Sequence, residues 1–226
     1  MEYENIFIDS VQSDRVFMNS WFIIENNQCI IIDCNKYTLQ YITKHSLNPV
    51  YLFVTHEHFD HIEGIASIKH VFPKMKIISS ETTSAAMINP RENLSLFYDG
   101  IGFIETSADI HIENQNVFLF YNKHMRAYLT PGHSLGSSIY VYDDKYVFCG
   151  DTLLNGFRTP AIFPNSSYSD LEKSVKLIDD ITYDDAIFFT GHGLPFKKNY
   201  WDKKLTLSKK NNRKIYDVCS INNIMI

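Results

Sequence analysis

The chain is poor in the features that mark several protein classes. Its four cysteines, Cys29, Cys34, Cys149 and Cys219, form no CxxC pair and are too sparse for a disulfide framework. Cys29 and Cys149 lie in the apolar runs QCIIID and KYVFCGD, where a free thiol behaves as a small buried hydrophobe. Cys34 has no neighbour in sequence that would activate a thiolate. No apolar run approaches the roughly 18 residues that suggest a membrane span. The opening MEYENIFIDS is acidic and lacks the basic and apolar regions of a secretory signal. Positive charge is also scarce, with Lys and Arg at 21 against Asp and Glu at 26, a net charge of −5. That balance argues against a broad basic face for nucleic acid or an anionic membrane. Repeats and low-complexity segments are absent. The expectation is a cytoplasmic globular protein with no nucleic-acid and no membrane partner.

What is present suits a packed α/β domain. Apolar residues make up 45% and aromatics 14% of 226 residues, enough for a sizeable core. Residues 15–25 and 28–33 are rich in β-branched and apolar side chains, and Asn26-Asn27 between them suits a tight hairpin. Residues 37–45 have a weak helical pattern, and 50–55 (VYLFVT) read as a strand covered on both faces. A helical pattern through Ile62, Ile65 and Ile68 ends before Pro73. Strands are expected at 76–79, 126–130, 137–142, 145–149 and 186–190, with two short ones within 108–121. Helices are expected at 80–88 and, amphipathic, at 169–181, while 90–102 reads as a loop or broken helix. Residues 1–200 form one expected domain. Residues 201–226, with the charge run KKLTLSKKNNRK, are a tail packed on that domain or frayed from it.

The chemistry concentrates in His56-Glu57-His58-Phe59-Asp60-His61, directly after an apolar strand. It offers four metal-ligand side chains in six residues. A helix N-terminus capped by Asp60 would explain one acid but not three histidines. Further candidates sit where other strands end: His133 in TPGHS, Asp151 in GDTL and His192 in GHG, each beside a glycine that allows close backbone approach. Asp33 ends QCIIID in the same way, where a carboxylate can orient a ligand histidine through its second ring nitrogen. His45, His70, His111 and His124 fall outside the pattern and read as surface or helix-end residues.

The set Asp33, His56-x-His58-x-Asp60-His61, His133, Asp151 and His192 resembles the metallo-β-lactamase-fold hydrolases, over roughly residues 5–197. Asn93-Leu94-Ser95, TPGHS, GDTL, Arg158-Thr159 and GHG resemble the glyoxalase II-like branch. The resemblance implies a four-layer αββα sandwich of the α/β class with a dinuclear metal site at one edge. Carried over by position, His56, His58 and His133 would hold one metal, and Asp60, His61 and His192 the other. Asp151 would bridge them. Two divalent ions, Zn or else Fe or Mn, could then share a hydroxide that attacks a thioester or ester carbonyl, with Asp60 as its proton acceptor. Every one of these residues precedes the tail, so removal of residues beyond about 201 is expected to leave metal binding intact.

Departures from the branch bear on the substrate. About 30 residues follow GHG, too few for the helical domain that helps glyoxalase II bind glutathione. Leu135-Gly136 stands where Pro-Gly is usual, and residues 155–170 are more apolar than their counterpart. Phe97, Tyr98, Phe157, Ile162 and Phe163 either line an apolar entrance or pack as ordinary core. The expected substrate is a small-molecule or carrier-bound acyl compound, with a homodimer left open. The alternatives are a mononuclear-iron persulfide dioxygenase using His56, His133 and Asp151, and a lactonase of the same fold.

Overall fold

A computed structural model describes residues 7–209. The first sheet contains β1 (Phe7–Gln12), β2 (Asn19–Glu25), β3 (Gln28–Ile32), β4 (Asn48–Phe53), β5 (Lys76–Ser80) and β6 (Ile110–Ile112), hydrogen-bonded in that order. The second contains β7 (Asn116–Phe120), β8 (Lys123–Leu129), β9 (Ser138–Tyr142), β10 (Tyr146–Gly150), β11 (Ile187–Thr190) and β12 (Phe196–Lys197), again in sequential order. Both sheets are mixed. Pairing is antiparallel from β1 to β3 and parallel from β3 to β6. In the second sheet only β10 and β11 run parallel.

Strand parity explains the four layers, because successive side chains point to opposite faces. Trp21, Ile23, Ile30, Ile32 and Phe53 point from the first sheet at Met125, Ala127, Tyr140, Phe148 and Phe189 of the second. Their neighbours Phe22, Ile31 and Leu52 point outward and meet Ile42 of α1 (Thr38–Lys44), Ile62 of α2 (Phe59–Ile62), Ile65 and Ile68 of α3 (Ile65–Val71), and Met87 of α4 (Glu81–Met87). A short α5 (Ser95–Asp99) follows α4. On the far side, Val141, Val147 and Phe188 meet Leu171, Val175 and Ile178 of α6 (Tyr168–Ile181), the helix whose apolar stripe is legible in the sequence. The architecture is the αββα sandwich. Each fully buried Phe or Ile of these clusters stabilises it by about 1.5–3 kcal/mol.

Several elements differ from the sequence reading. The first hairpin turns at Asn26-Asn27 with Asn26 at φ +56°, but β2 starts at Asn19 rather than at residue 15. Phe17 at φ +55° interrupts the extended run there. The helix expected through residues 62–69 breaks at Gly64, where a Cβ would stand 2.7 Å from Asn35 O and 2.8 Å from Cys34 Sγ. Pro49 lies inside β4, at a register shift where Cys29 faces Pro49 and Ile30 faces Tyr51; an irregularity is where a strand tolerates a residue without an N–H. Strands β1 and β12 carry too little apolar alternation to be read in advance. After β12, a single helical turn and α7 (Lys203–Thr206) lay Trp201 against Phe188, so residues 201–209 pack on the sandwich. Residues 210–226 of the expected tail, and Cys219 with them, lie outside the described residues. No helix among the described residues is long and apolar enough to cross a membrane.

Candidate metal centre

Five strand ends converge at one edge of the sandwich. Asp33 follows β3, the His56–His61 segment follows β4 across Val54-Thr55, His133 follows β8, Asp151 follows β10 and His192 follows β11. Gly191 N–H donates to Gly150 O (2.8 Å), joining the last two loops, and Asn19 N–H donates to Gly191 O (2.7 Å), joining them to β2. The structure thus brings all seven proposed ligands together. Three groups each offer ligand atoms within 4.8 Å of one another: His56, His58 and His133; Asp60, His61 and His192; and His56, His61 and Asp151.

Hydrogen bonds behind the rings decide which nitrogen faces inward. His133 Nδ1–H donates to Pro160 O (2.8 Å), His192 Nδ1–H to Val16 O (2.9 Å) and His61 Nδ1–H to Asp33 Oδ2 (2.8 Å). Since carbonyls and carboxylates only accept, each ring in its neutral form keeps an Nε2 lone pair directed into the centre. His56 Nδ1 sits 3.0 Å from Thr55 Oγ1, which itself donates to Asp33 Oδ2 (2.7 Å). His58 differs: its Nδ1 faces His56 Nε2 (3.1 Å) and His133 Nε2 (3.0 Å). Three ring nitrogens meet there, and at most one proton of His58 is available to separate their lone pairs.

The other half is anionic. Asp60 Oδ2 lies 3.3 Å from His192 Nε2 and 4.0 Å from His61 Nε2. Asp151 reaches both halves, with Oδ2 at 3.6 Å from His133 Nε2 and 3.4 Å from His192 Nε2, and Oδ1 at 3.6 Å from His61 Nε2. Burial holds His56, His58 and His133 below the ordinary imidazole pKa, reinforced in each case by neighbouring histidines. Burial also opposes charge on His61, but Asp33, Asp60 and Asp151 outweigh it and push its pKa up to about 10. His192 is raised by the same contest, with Asp151 and Asp60 beating burial. Burial would raise Asp60, yet His61 and His192 hold it well below the usual carboxylate range.

Two atoms test whether this arrangement fits a metal. His61 Nε2 and Asp151 Oδ1 are fully buried, 3.6 Å apart, and have no hydrogen-bond partner. Orphaned buried polar atoms are rare and costly in folded proteins. Cations placed among the lone pairs of five imidazoles and two carboxylates would remove that cost, and imidazole with carboxylate is a donor set suited to Zn, Fe or Mn. The His/Asp cluster suits a dinuclear divalent metal site.

A sequence profile of the metallo-beta-lactamase superfamily matches residues 14–192. The chain belongs to the metallo-beta-lactamase superfamily. Among its curated relatives, a hydroxyacylglutathione hydrolase of Buchnera aphidicola subsp. Schizaphis graminum is 27% identical over 164 residues. That match takes in 71% of this chain and 56% of the relative, so the chain spans little more than half of that protein. Solved structures with the same fold include the B3 metallo-beta-lactamase BLEG-1, with TM-score 0.78, 20% identity and coverage of 84% of this chain and 94% of that one. Another is TTHA1623 in a di-iron-bound form, with TM-score 0.71, 19% identity and coverage of 84% and 94%.

Around this superfamily core the sequence reading passed over several positioning groups. Val16 O and Pro160 O are backbone atoms and carry no residue signature. Glu57, 4% exposed between two histidines, accepts from Ser134 Oγ (2.9 Å) and Thr83 Oγ1 (3.3 Å), which ties the His56–His61 segment to the His133 loop. Its position inside the motif was the available signal. Phe163 stands edge-on to His58 and His133, with ring centroids 5.1 and 5.7 Å away, and Phe59 stacks on Tyr98 at 4.2 Å. Phe97, Tyr98 and Ile162 are exposed, Phe157 and Phe163 half-buried, and none of the five belongs to a core cluster. His45, His70, His111 and His124 are all exposed.

Two substitutions probe this support. Asp33 accepts from Thr55 N–H (2.7 Å), Thr55 Oγ1 (2.7 Å) and His61 Nδ1 (2.8 Å) while 1% exposed. Asp33→Ala should cost about 3–5 kcal/mol in a urea melt, because it strands buried polar partners, and should weaken metal binding about 10–100-fold. Gly191 needs its lack of a side chain: a Cβ there would lie 2.3 Å from Asp151 Oδ1 and 2.5 Å from His61 Cε1. Gly191→Ala should therefore weaken metal binding by at least about 10-fold. Equal metal affinity in Gly191→Ala and wild type, read by competition with a chromophoric chelator, would refute that crowding.

Proposed function

We propose that the protein is a metal-dependent hydrolase of thioesters or esters, acting on a small-molecule or carrier-bound acyl substrate in the cytoplasm. The carrying observation is the pair of ligand groups joined by Asp151, with His61 Nε2 and Asp151 Oδ1 buried and otherwise unpartnered. His56 and His133 through Nε2, with His58 through Nδ1, would hold one divalent ion. Asp60, His61 and His192 would hold the other, and Asp151 would bridge them. Zinc is the first choice, with iron or manganese as substitutes. When bound, the ions supply Lewis acidity, which lowers the pKa of a water and polarises a carbonyl.

The remaining work falls to the chain. Asp33 and Thr55 fix the rings of His61 and His56 against rotation. The Asp60 carboxylate, kept ionised and facing His192 and His61, takes the proton of the attacking water. Phe163 covers the His58–His133 side and keeps bulk water off that flank. The thioester part of the reading is supported by the name of the hydroxyacylglutathione hydrolase relative, since an acylglutathione is a thioester.

The test joins metal analysis to a substrate panel. Protein purified without added metal should carry close to two ions per chain after reconstitution and should hydrolyse members of a thioester and ester series, lactones included. A stoichiometry fixed at one iron, with oxygen consumption on glutathione persulfide and no hydrolysis, would replace this reading with the dioxygenase.

A further inference from the structure

We propose that residues 201–207 act as a strap that positions His133, and so set the affinity of the metal held by His56, His58 and His133. This rests on the metal reading above and runs against the expectation that removal of residues beyond about 201 leaves metal binding intact.

The connection is a short chain of contacts. His133 Nδ1–H donates to Pro160 O (2.8 Å). Pro160 lies in an irregular stretch between β10 and α6, with no strand or helix of its own to hold it. The adjacent Thr159 is held twice: its Oγ1 donates to Thr152 O (2.8 Å), and its N–H donates to Thr206 O (3.1 Å). Thr206, 2% exposed, is locked in turn. Trp201 Nε1–H donates to Thr206 Oγ1 (2.9 Å), and Asp202 Oδ1 accepts from Leu205 N–H (3.0 Å) at the start of α7. Trp201 is itself anchored edge-on to Phe188 of β11, with ring centroids 5.4 Å apart. A second latch lies one residue on, where Tyr168 OH donates to Leu207 O. Ala161, Leu207 and Trp201 pack around one core cluster with Leu153 and Leu171, so apolar contact joins the strap to the same loop.

The other histidines do not depend on this segment. His61 leans on Asp33, His56 on Thr55 and His192 on Val16 O, all far from residues 201–207 in the hydrogen-bond network. Loosening the strap should therefore act on one metal and spare the other. Outer partners of a ligating histidine commonly contribute about 10–100-fold in metal affinity.

The experiment titrates metal-free, full-length protein with zinc in a calorimeter. His133→Ala and His192→Ala serve to assign the two binding steps. Trp201→Ala should weaken the step that His133→Ala abolishes by about 10–100-fold and leave the other within about 3-fold. Trp201→Phe, which keeps the ring against Phe188, should recover most of the loss. Tyr168→Phe, which removes one hydroxyl, should weaken the same step by about 3–10-fold. It decides the matter if Trp201→Ala does not fold. A proton spectrum adds a readout that general destabilisation would not move. The low-field imidazole N–H of His133 should be seen in wild type, exchange away in Trp201→Ala and persist in Trp201→Phe. Equal weakening of both steps, or of neither, overturns the strap. A wild type that binds fewer than two zinc ions overturns the hydrolase reading instead.

Discussion

Asp151→Ala should weaken both metals together and lower turnover by more than about 100-fold. Asp151 is the only ligand candidate among the described residues whose two oxygens reach histidines of both groups, at 3.4–3.6 Å. Removing it leaves five imidazoles facing one carboxylate, so neither ion keeps its charge balance. The fold should persist, because the side chain sits at the sheet edge beyond β10 and belongs to no core cluster. In the metal-free variant His61 loses one of the three carboxylates that favour its charged form against burial. Its pKa, pushed up to about 10 in the parent, should fall. Metal analysis, circular dichroism and an imidazole titration by nuclear magnetic resonance check the three parts. Full occupancy of both sites in Asp151→Ala would end the bridging assignment.

Asp60→Asn should separate metal binding from chemistry. Asparagine keeps an oxygen near His192 Nε2, 3.3 Å away in the parent, but removes a negative charge and a proton acceptor. The ion held by Asp60, His61 and His192 should bind more weakly while the other is spared. kcat should fall by about 10²–10⁴-fold even at saturating metal, the usual worth of general-base help. His111→Ala is the control, since His111 lies exposed on β6 and contributes to no ligand group. Near-wild-type turnover in Asp60→Asn, or a His111→Ala variant damaged to the same degree, would remove Asp60 from the proton-accepting role.

The difference between what could be read early and what could not follows from where each kind of information sits. The apolar runs NSWFIIE and SIYVY, buried on both faces, and the stripe of α6, buried on one, announce elements by pattern alone. The HEHFDH cluster announces chemistry by residue type, because few other uses call for three histidines and an acid in six positions. By contrast, Pro49 falls just outside the strand expected at 50–55, and only pairing with Cys29 at a register shift shows it inside a strand. Phe17 reads as part of a strand, and its left-handed backbone is imposed by the turn that carries Val16 O to His192.

Composition and pattern were enough to indicate an α/β chain and to pick out the candidate ligand side chains, because ligand chemistry is a property of residue type, and the motif resemblance implied the αββα sandwich with those side chains at one edge. Composition and pattern could not say which ring nitrogen faces inward, or that Glu57 and Pro160 brace the loops. Those facts depend on backbone carbonyls and on distances between segments as far apart as Val16 and His192, which no local pattern encodes. The same holds for residues 201–207. Their charge and weak periodicity read as a tail either packed on the domain or frayed from it, and only packing of Trp201 on Phe188 brings Thr206 O within reach of the loop that holds His133.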